Sequence, residues 1–144
     1  MDFILKEVSL SDSLDILFDL DQKVFTQNYH LRSPNKKVLF DWIRKSKIYL
    51  AYDGNKIIGF GAYEKKEVVA EITTLGVLSD YRRQKIGAFI VKKILSDIGA
   101  LPVEVKTHPS NPAVKFYEKF GFIKGKVIEN YENLGQPRLV LKRI

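Results

Sequence analysis

The chain contains no cysteine, which excludes disulfides, thiolate metal sites and a cysteine nucleophile together. It has only two histidines, His30 and His108, in neither His-x-His nor His-Glu-x-x-His spacing, so no metal centre is expected. No serine stands in a nucleophile-elbow motif, and a covalent acyl-serine intermediate is therefore not implied. No apolar run is long enough to cross a bilayer. The opening MDFILKEVSL, broken by Asp2, Lys6 and Glu7, is unlike a secretory leader, and a cytoplasmic protein is expected. Repeats, low-complexity stretches and linkers are also missing. What remains is 144 residues, 45% hydrophobic, enough to bury a sizeable core as a single domain spanning 1–144.

Charge is not lacking. The formal net charge is +7, from 24 Lys and Arg against 17 Asp and Glu, and a basic surface attracts nucleic acid, anionic lipid or a phosphorylated cofactor. The basic pairs Lys36-Lys37, Lys65-Lys66, Lys92-Lys93 and Lys142-Arg143 are scattered along the chain. No RNA- or DNA-binding motif accompanies them, so they read mostly as solvated faces.

Periodicity predicts an alternation of strands and helices. Phe3 to Val8 reads as a strand, and Ser11 as the cap of a helix carrying Leu14, Leu17, Phe18 and Asp21 to Phe25. Ser33-Pro34 reads as a helix start, with Leu39, Trp42 and Ile43 on its apolar face. Ile48 to Tyr52 and Ile57 to Tyr63 flank Asp53-Gly54-Asn55, a hairpin signal, and a second hairpin turns at Lys65-Lys66-Glu67. Val68 to Val77 is a β-branched strand. After Arg82-Arg83-Gln84-Lys85 the apolar spacing becomes helical at Ile86, Phe89, Ile90, Ile94 and Leu95, until Gly99 ends the helix. Val103 to Thr107 is the next strand, Gly121 is placed for a left-handed helix cap, and Ile123 to Tyr131 pairs with Arg138 to Leu141.

The segment from Glu71 to Val91, EITTLGVLSDYRRQKIGAFIV, is the most informative. A strand, a basic turn and a helix opening follow one another directly. The first turn of a helix has amide N–H groups without intrahelical partners, and the aligned peptide dipoles add partial positive charge, so phosphates bind there. Gly87 and Ala88 keep that turn free of bulk. Further on, Asn111-Pro112-Ala113-Val114-Lys115-Phe116-Tyr117-Glu118-Lys119-Phe120-Gly121-Phe122 follows a second strand at a βαβ distance.

This pair of segments resembles the GNAT superfamily of acetyl-CoA-dependent N-acetyltransferases. The family's pyrophosphate signature, Q/R-x-x-G-x-G/A, matches at Arg82, Gly87 and, just beyond, Ala88, with Lys85 in place of its first glycine. The later signature, N-x-x-A-x-x-x-Y-x-x-x-G-F, is approximated by Asn111, Ala113, Tyr117, Gly121 and Phe122. The resemblance implies an α/β fold with a mixed, mostly antiparallel sheet, a central splayed parallel strand pair and helices on both faces. It implies acetyl-CoA as cofactor, held by the loop and helix start Arg82, Arg83, Gln84, Lys85, Ile86, Gly87 and Ala88, with its pantetheine arm between the splayed strands against the backbone of Leu75, Gly76 and Val77. Asn111 would hold the arm from the opposite wall. The Lys85 side chain must either point away or contact the phosphates itself.

Acetyl transfer to an amine requires loss of the ammonium proton, stabilisation of the thioester oxygen and protonation of the departing thiolate. The resemblance places the Tyr117 phenol beside the sulfur as the acid. Otherwise Phe116, Tyr117 and Phe120 form a core-facing aromatic face. Glu71 is the candidate base, because its distance from Arg82 is similar to that of the catalytic glutamate in the histone-modifying branch. Alternation puts Glu71, Thr73 and Leu75 on one strand face. The other reading is a surface glutamate paired with a lysine. His108 and Thr107 lie in a loop that either lines the cleft or is simply satisfied within itself, while Tyr29, His30 and Tyr131 border the family's acceptor pocket. The expected reaction is direct attack by a small-molecule or peptide amine in a ternary complex. Two other readings stand beside it, an acyl-CoA-binding regulatory module without turnover and a basic nucleic-acid-binding domain. Neither the acceptor's identity nor a monomer or homodimer state is written in the sequence.

Overall fold

Strand propensity and turn chemistry produce the expected meander, here described for residues 3–144 of a computed structural model; Met1 and Asp2 lie outside the described residues. The strands are β1 (Phe3–Val8), β2 (Lys47–Asp53), β3 (Lys56–Lys65), β4 (Ala70–Val77), β5 (Val103–Thr107), β6 (Ile123–Ile128) and β7 (Arg138–Arg143). They form one sheet in the order β1-β2-β3-β4-β5-β7-β6, antiparallel except for the parallel pair β4 and β5. The helices are α1 (Leu10–Val24), α2 (Lys36–Ile43), α3 (Ile86–Ile98) and α4 (Ala113–Glu118). Among the described residues, no helix is long and apolar enough to cross a membrane.

Helices cover both faces, as expected. On one face α3 buries Ile86, Ile90, Val91, Ile94 and Ile98 against Ile58, Tyr63, Ile72, Val105 and Leu141, joined by Val114 and Tyr117 of α4. On the other, Leu17, Leu20 and Val24 of α1 and Leu39 and Ile43 of α2 pack on Ile48, Leu50, Phe60 and Ala62. Each fully buried aliphatic side chain contributes roughly 1.5–3 kcal/mol. Glycine sets the spacing at two points: a Cβ on Gly61 would lie 2.5 Å from Ile90 Cγ2, and one on Gly76 2.6 Å from the Phe60 ring.

The caps differ from expectation. Ser9, not Ser11, caps α1, its side chain accepting from the Asp12 amide. Ser33 does not cap α2. Its N–H and hydroxyl both donate to the buried Asp21 carboxylate, at 2.9 and 3.0 Å, and the extended Asn35 takes the cap position by accepting from Val38 N. A buried carboxylate needs donors, and this one fastens the start of α2 to α1. At the other end β6 stops at Ile128 rather than Tyr131, because Asn130, Glu132 and Asn133 adopt positive φ and turn the chain out of the sheet.

One irregularity shapes the centre of the sheet. Tyr63 pairs with Ile72 but Ala62 pairs with Thr74, so Thr73 is the extra residue of a β-bulge, and the side-chain phase of β4 reverses there. Glu71 therefore faces the α1 and α2 side, whereas Leu75 packs into the core beneath α3. The alternation that put Glu71, Thr73 and Leu75 on one face is corrected by this bulge. Parallel pairing of β4 and β5 is confined to Ala70↔Val103, Glu71↔Glu104 and Ile72↔Val105. Beyond these pairs the two strands run on unpaired and splay apart.

Candidate active site

A cavity of about 720 Å³ occupies the splay, lined from β4 by Glu71 to Val77, from β5 by Lys106 and Thr107, and from α4 by Phe116 and Tyr117. Arg82, Gly87 and Asn111 border it, as do Tyr29, His30, Tyr131 and Arg138. Where the two strands part, the β4 backbone edge from Leu75 to Val77 has no strand partner on the β5 side. Backbone donors and acceptors on such an edge are strong groups looking for partners.

The turn before α3 is built to leave amides free. Lys85 is the N-cap residue of α3 and adopts the left-handed conformation, φ 65°. Arg83 also has positive φ, 71°. The first amide to bond back is that of Phe89, to the Lys85 carbonyl, so the N–H groups of Ile86, Gly87 and Ala88 have no backbone acceptor. Ile86 points its side chain into the core and offers only its amide. Gly87 leaves open space, a Cβ there meeting nothing closer than Phe116 at 3.5 Å. Gln84 donates to the Asp80 carbonyl, and its Oε1 is buried without a partner among the described residues. Arg82 folds inward, donating to the carbonyls of Val77 and Val24, each at 3.2 Å. It ties α1 to the end of β4. Free amides at a helix start beside an unpaired strand edge fit a ligand that carries phosphates and an amide-containing arm, as acetyl-CoA does.

Lys85 occupies the position where the family motif has glycine, in a backbone conformation that costs an ordinary residue about 1 kcal/mol or more. Lys85→Gly is expected to raise the melting temperature by about 2–4 °C. Thermal denaturation with no rise would mean that the lysine is not held left-handed in solution.

Opposite this loop, α4 carries Tyr117. Its ring packs edge-on against Phe116 and Phe122, at 5.3 and 5.5 Å between centroids, so the aromatic-core reading holds for the ring. The residue also lines the cavity. Burial alone pushes its phenol pKa well above the usual tyrosine value, which keeps the hydroxyl protonated. Asn111 uses Oδ1 to accept from Ala113 N at 2.9 Å, steadying the start of α4. His108 turns into its own loop, Nδ1 accepting from Ser110 N at 3.0 Å, and is not part of the cavity lining. Thr107 is buried and does line it.

Glu71 lies on the opposite face of the sheet from Tyr117. Its Oε2 is 2.8 Å from Lys106 Nζ and its Oε1 is 3.2 Å from Lys66 Nζ. Both readings of this residue are thus present in one place: it is paired with lysines, and it faces the cavity. Lys106 is the more enclosed lysine, 21% exposed against 46% for Lys66. Burial works against its charge, but the Glu71 carboxylate outweighs that and holds its pKa above the usual lysine value.

The end of the cavity lined by Tyr29, His30, Tyr131 and Arg138 is closed by a strapped loop. Gln136 donates to the carbonyls of Asn28 and His30, each at 3.1 Å, and Arg138 to that of Tyr29 at 3.4 Å, so the β6–β7 connection holds the segment after α1. Burial first, then Arg82 and Arg138, holds the His30 pKa below its usual value. Its Nδ1 accepts from Gln27 N, which leaves the proton of the neutral ring on Nε2. Tyr29, His30 and Tyr131 all line the cavity at this end. Lys106 and Arg138 were not foreseen. For Lys106 a signal exists: it falls on the β5 phase opposite to Val103, Val105 and Thr107, hence on the same face as Glu71. Arg138 carries no local mark beyond opening a strand.

The sequence model of the acetyltransferase (GNAT) family matches residues 14–122. No curated protein matches the sequence. Among solved structures, Arabidopsis thaliana Naa50 in complex with the bisubstrate analogue CoA-Ac-MVNAL is 28% identical, with 100% of this chain and 99% of that one covered and a TM-score of 0.78. The ribosomal-protein-S18-alanine N-acetyltransferase of Escherichia coli is 15% identical over 99% of this chain and 93% of that one, with a TM-score of 0.81. A GNAT family acetyltransferase from Elizabethkingia anophelis with acetyl-CoA bound is 18% identical over 98% and 97%, with a TM-score of 0.79.

Proposed function

The chain belongs to the acetyltransferase (GNAT) family, and on that premise we propose that it is an N-acetyltransferase, moving an acetyl group from acetyl-CoA to a primary amine by direct attack in a ternary complex. The observation that carries this reading is the meeting of three features at one cavity: the unpaired β4 edge, the free amides opening α3 and the Tyr117 phenol. Bound acetyl-CoA supplies the thioester carbonyl that the amine attacks.

The amides of Ile86, Gly87 and Ala88 receive phosphate oxygens, and the Leu75 to Val77 edge receives the amide-bearing arm. A donor held at these two places would have its thioester in the cavity that Glu71 and Tyr117 both line. Glu71 takes the ammonium proton, directly or through water. Lys66 is the exposed partner that swings away from Oε1, while Lys106 keeps Oε2 in place. Tyr117 gives its proton to the departing sulfur as the C–N bond forms and the C–S bond breaks, and is reprotonated by the second proton that the nitrogen sheds. Peptide amines are the favoured acceptors, supported by the peptide analogue bound to the 28% identical Naa50.

A panel of amines assayed for acetyl-CoA-dependent thiol release, with mass spectrometry of the acceptor, tests this. Acetylation of at least one primary amine above the uncatalysed rate is expected. The engagement of Glu71 by two lysines favours one other reading, an acyl-CoA-binding module without turnover. CoA binding with no acetylated amine across peptides, amino acids and polyamines would establish that reading instead.

A further inference from the structure

Arg138 is the most enclosed cation of the cavity, 4% exposed, and it lines the end closed by the strapped loop. Its hydrogen bonds go to the carbonyls of Pro137 at 3.1 Å and Tyr29 at 3.4 Å and to Gln136 Oε1 at 3.1 Å. All three acceptors are neutral. Among the described residues, no carboxylate pairs with it, and Tyr131 is the one group whose charge acts on it appreciably. Three of its five N–H donors are thus occupied, leaving Nε–H and one Nη2 hydrogen. An enclosed guanidinium without an anion is costly, and its planar fork matches a carboxylate.

The neighbouring cation is a contrast. Lys106 has its anion in Glu71, and both stand on the sheet face that also carries Arg138. The face therefore presents a carboxylate and, separately, an unmatched guanidinium. We infer that Arg138 receives a carboxylate of the acceptor, so that the substrate is an amine that also bears a carboxylate, with the amine directed to Glu71. This rests on the N-acetyltransferase reading above. The carboxylate belongs either to a free amino acid or to an acidic side chain near a peptide N-terminus. The lowered pKa of His30, to which Arg138 contributes, agrees with a positive potential reaching the cavity.

The test uses the full chain and two matched acceptor pairs: alanine with alaninamide, and peptides differing only by glutamate or glutamine at the second position. The acidic member of one pair is expected to show a kcat/KM about tenfold or more above its neutral partner, the scale of one charge-assisted contact, and the pair responding identifies the source. Arg138→Gln should bring that ratio to about one and leave CoA affinity unchanged, whereas Arg138→Lys should retain part of it. Equal use of acidic and neutral acceptors by the wild type would overturn the inference. So would an Arg138→Gln enzyme slowed equally on all acceptors, because that marks a residue that only anchors the Tyr29 loop. Absence of thiol release with every acceptor is a different failure, of the transferase reading itself, and removes the inference with it.

Discussion

Tyr117→Phe should lower turnover by on the order of 10², the usual effect of removing a general acid, while CoA affinity and melting temperature stay near wild type. The ring supplies the packing, between Phe116 and Phe122, and phenylalanine keeps it. Only the hydroxyl is lost. No hydrogen bond or charge contributes to the raised pKa of that hydroxyl, which burial explains alone, so its removal strands no protein partner and costs little stability. The phenol stays protonated across ordinary assay pH. An alkaline fall in wild-type rate would therefore not come from Tyr117, and the ratio of wild-type to variant rate should be constant with pH. Steady-state thiol release over a pH series, with CoA calorimetry alongside, separates the cases: a wild-type rate in the variant returns Tyr117 to the hydrophobic core alone.

Glu71→Gln is expected to cost a similar factor near neutral pH, on the order of 10², with a different pH signature. Glutamine preserves size and can still accept from Lys106, but it cannot take a proton. As pH rises, more of the acceptor amine is already neutral and the need for a base disappears, so the deficit should shrink on the alkaline side. CoA binding should be unaffected, because Glu71 lies across the sheet from the α3 amides. A profile that overlays wild type throughout would show that Glu71 only pairs with Lys66 and Lys106.

Features encoded by a few adjacent residues were legible in the sequence. Gly121 adopts the positive φ expected of it, Gly99 ends α3 as expected, the β2–β3 hairpin turns where Asp53-Gly54-Asn55 signals it, and α3 begins at Ile86, where strand spacing gives way to helical spacing. Features that depend on distant partners were not. Ser33 looks like a helix cap until the buried Asp21, 12 residues away, claims its hydroxyl. The bulge at Thr73 leaves no mark in Ile-Thr-Thr, because either phase presents a β-branched residue to each face. Glu71 and Lys106 are 35 residues apart and meet only because β4 and β5 are neighbours, and Arg138 reads as a strand opening until the loop after α1 folds over it. Lys85 is an intermediate case. Its departure from glycine is plain in the sequence, but its retention of a glycine-like backbone angle appears only in the folded loop.

The account stands or falls on where acetyl-CoA sits. At 16.6 kDa the chain suits a titration followed by amide chemical shifts. Saturable binding is expected, with the largest shifts at Leu75 to Val77 and at Ile86 to Ala88, the strand edge and the helix start on the β4 side of the splay, and smaller ones at Asn111 and Tyr117 on the opposite wall. No saturable change at millimolar acetyl-CoA, or shifts confined to exposed lysine segments such as Lys65-Lys66 and Lys92-Lys93 and abolished by salt, would contradict it.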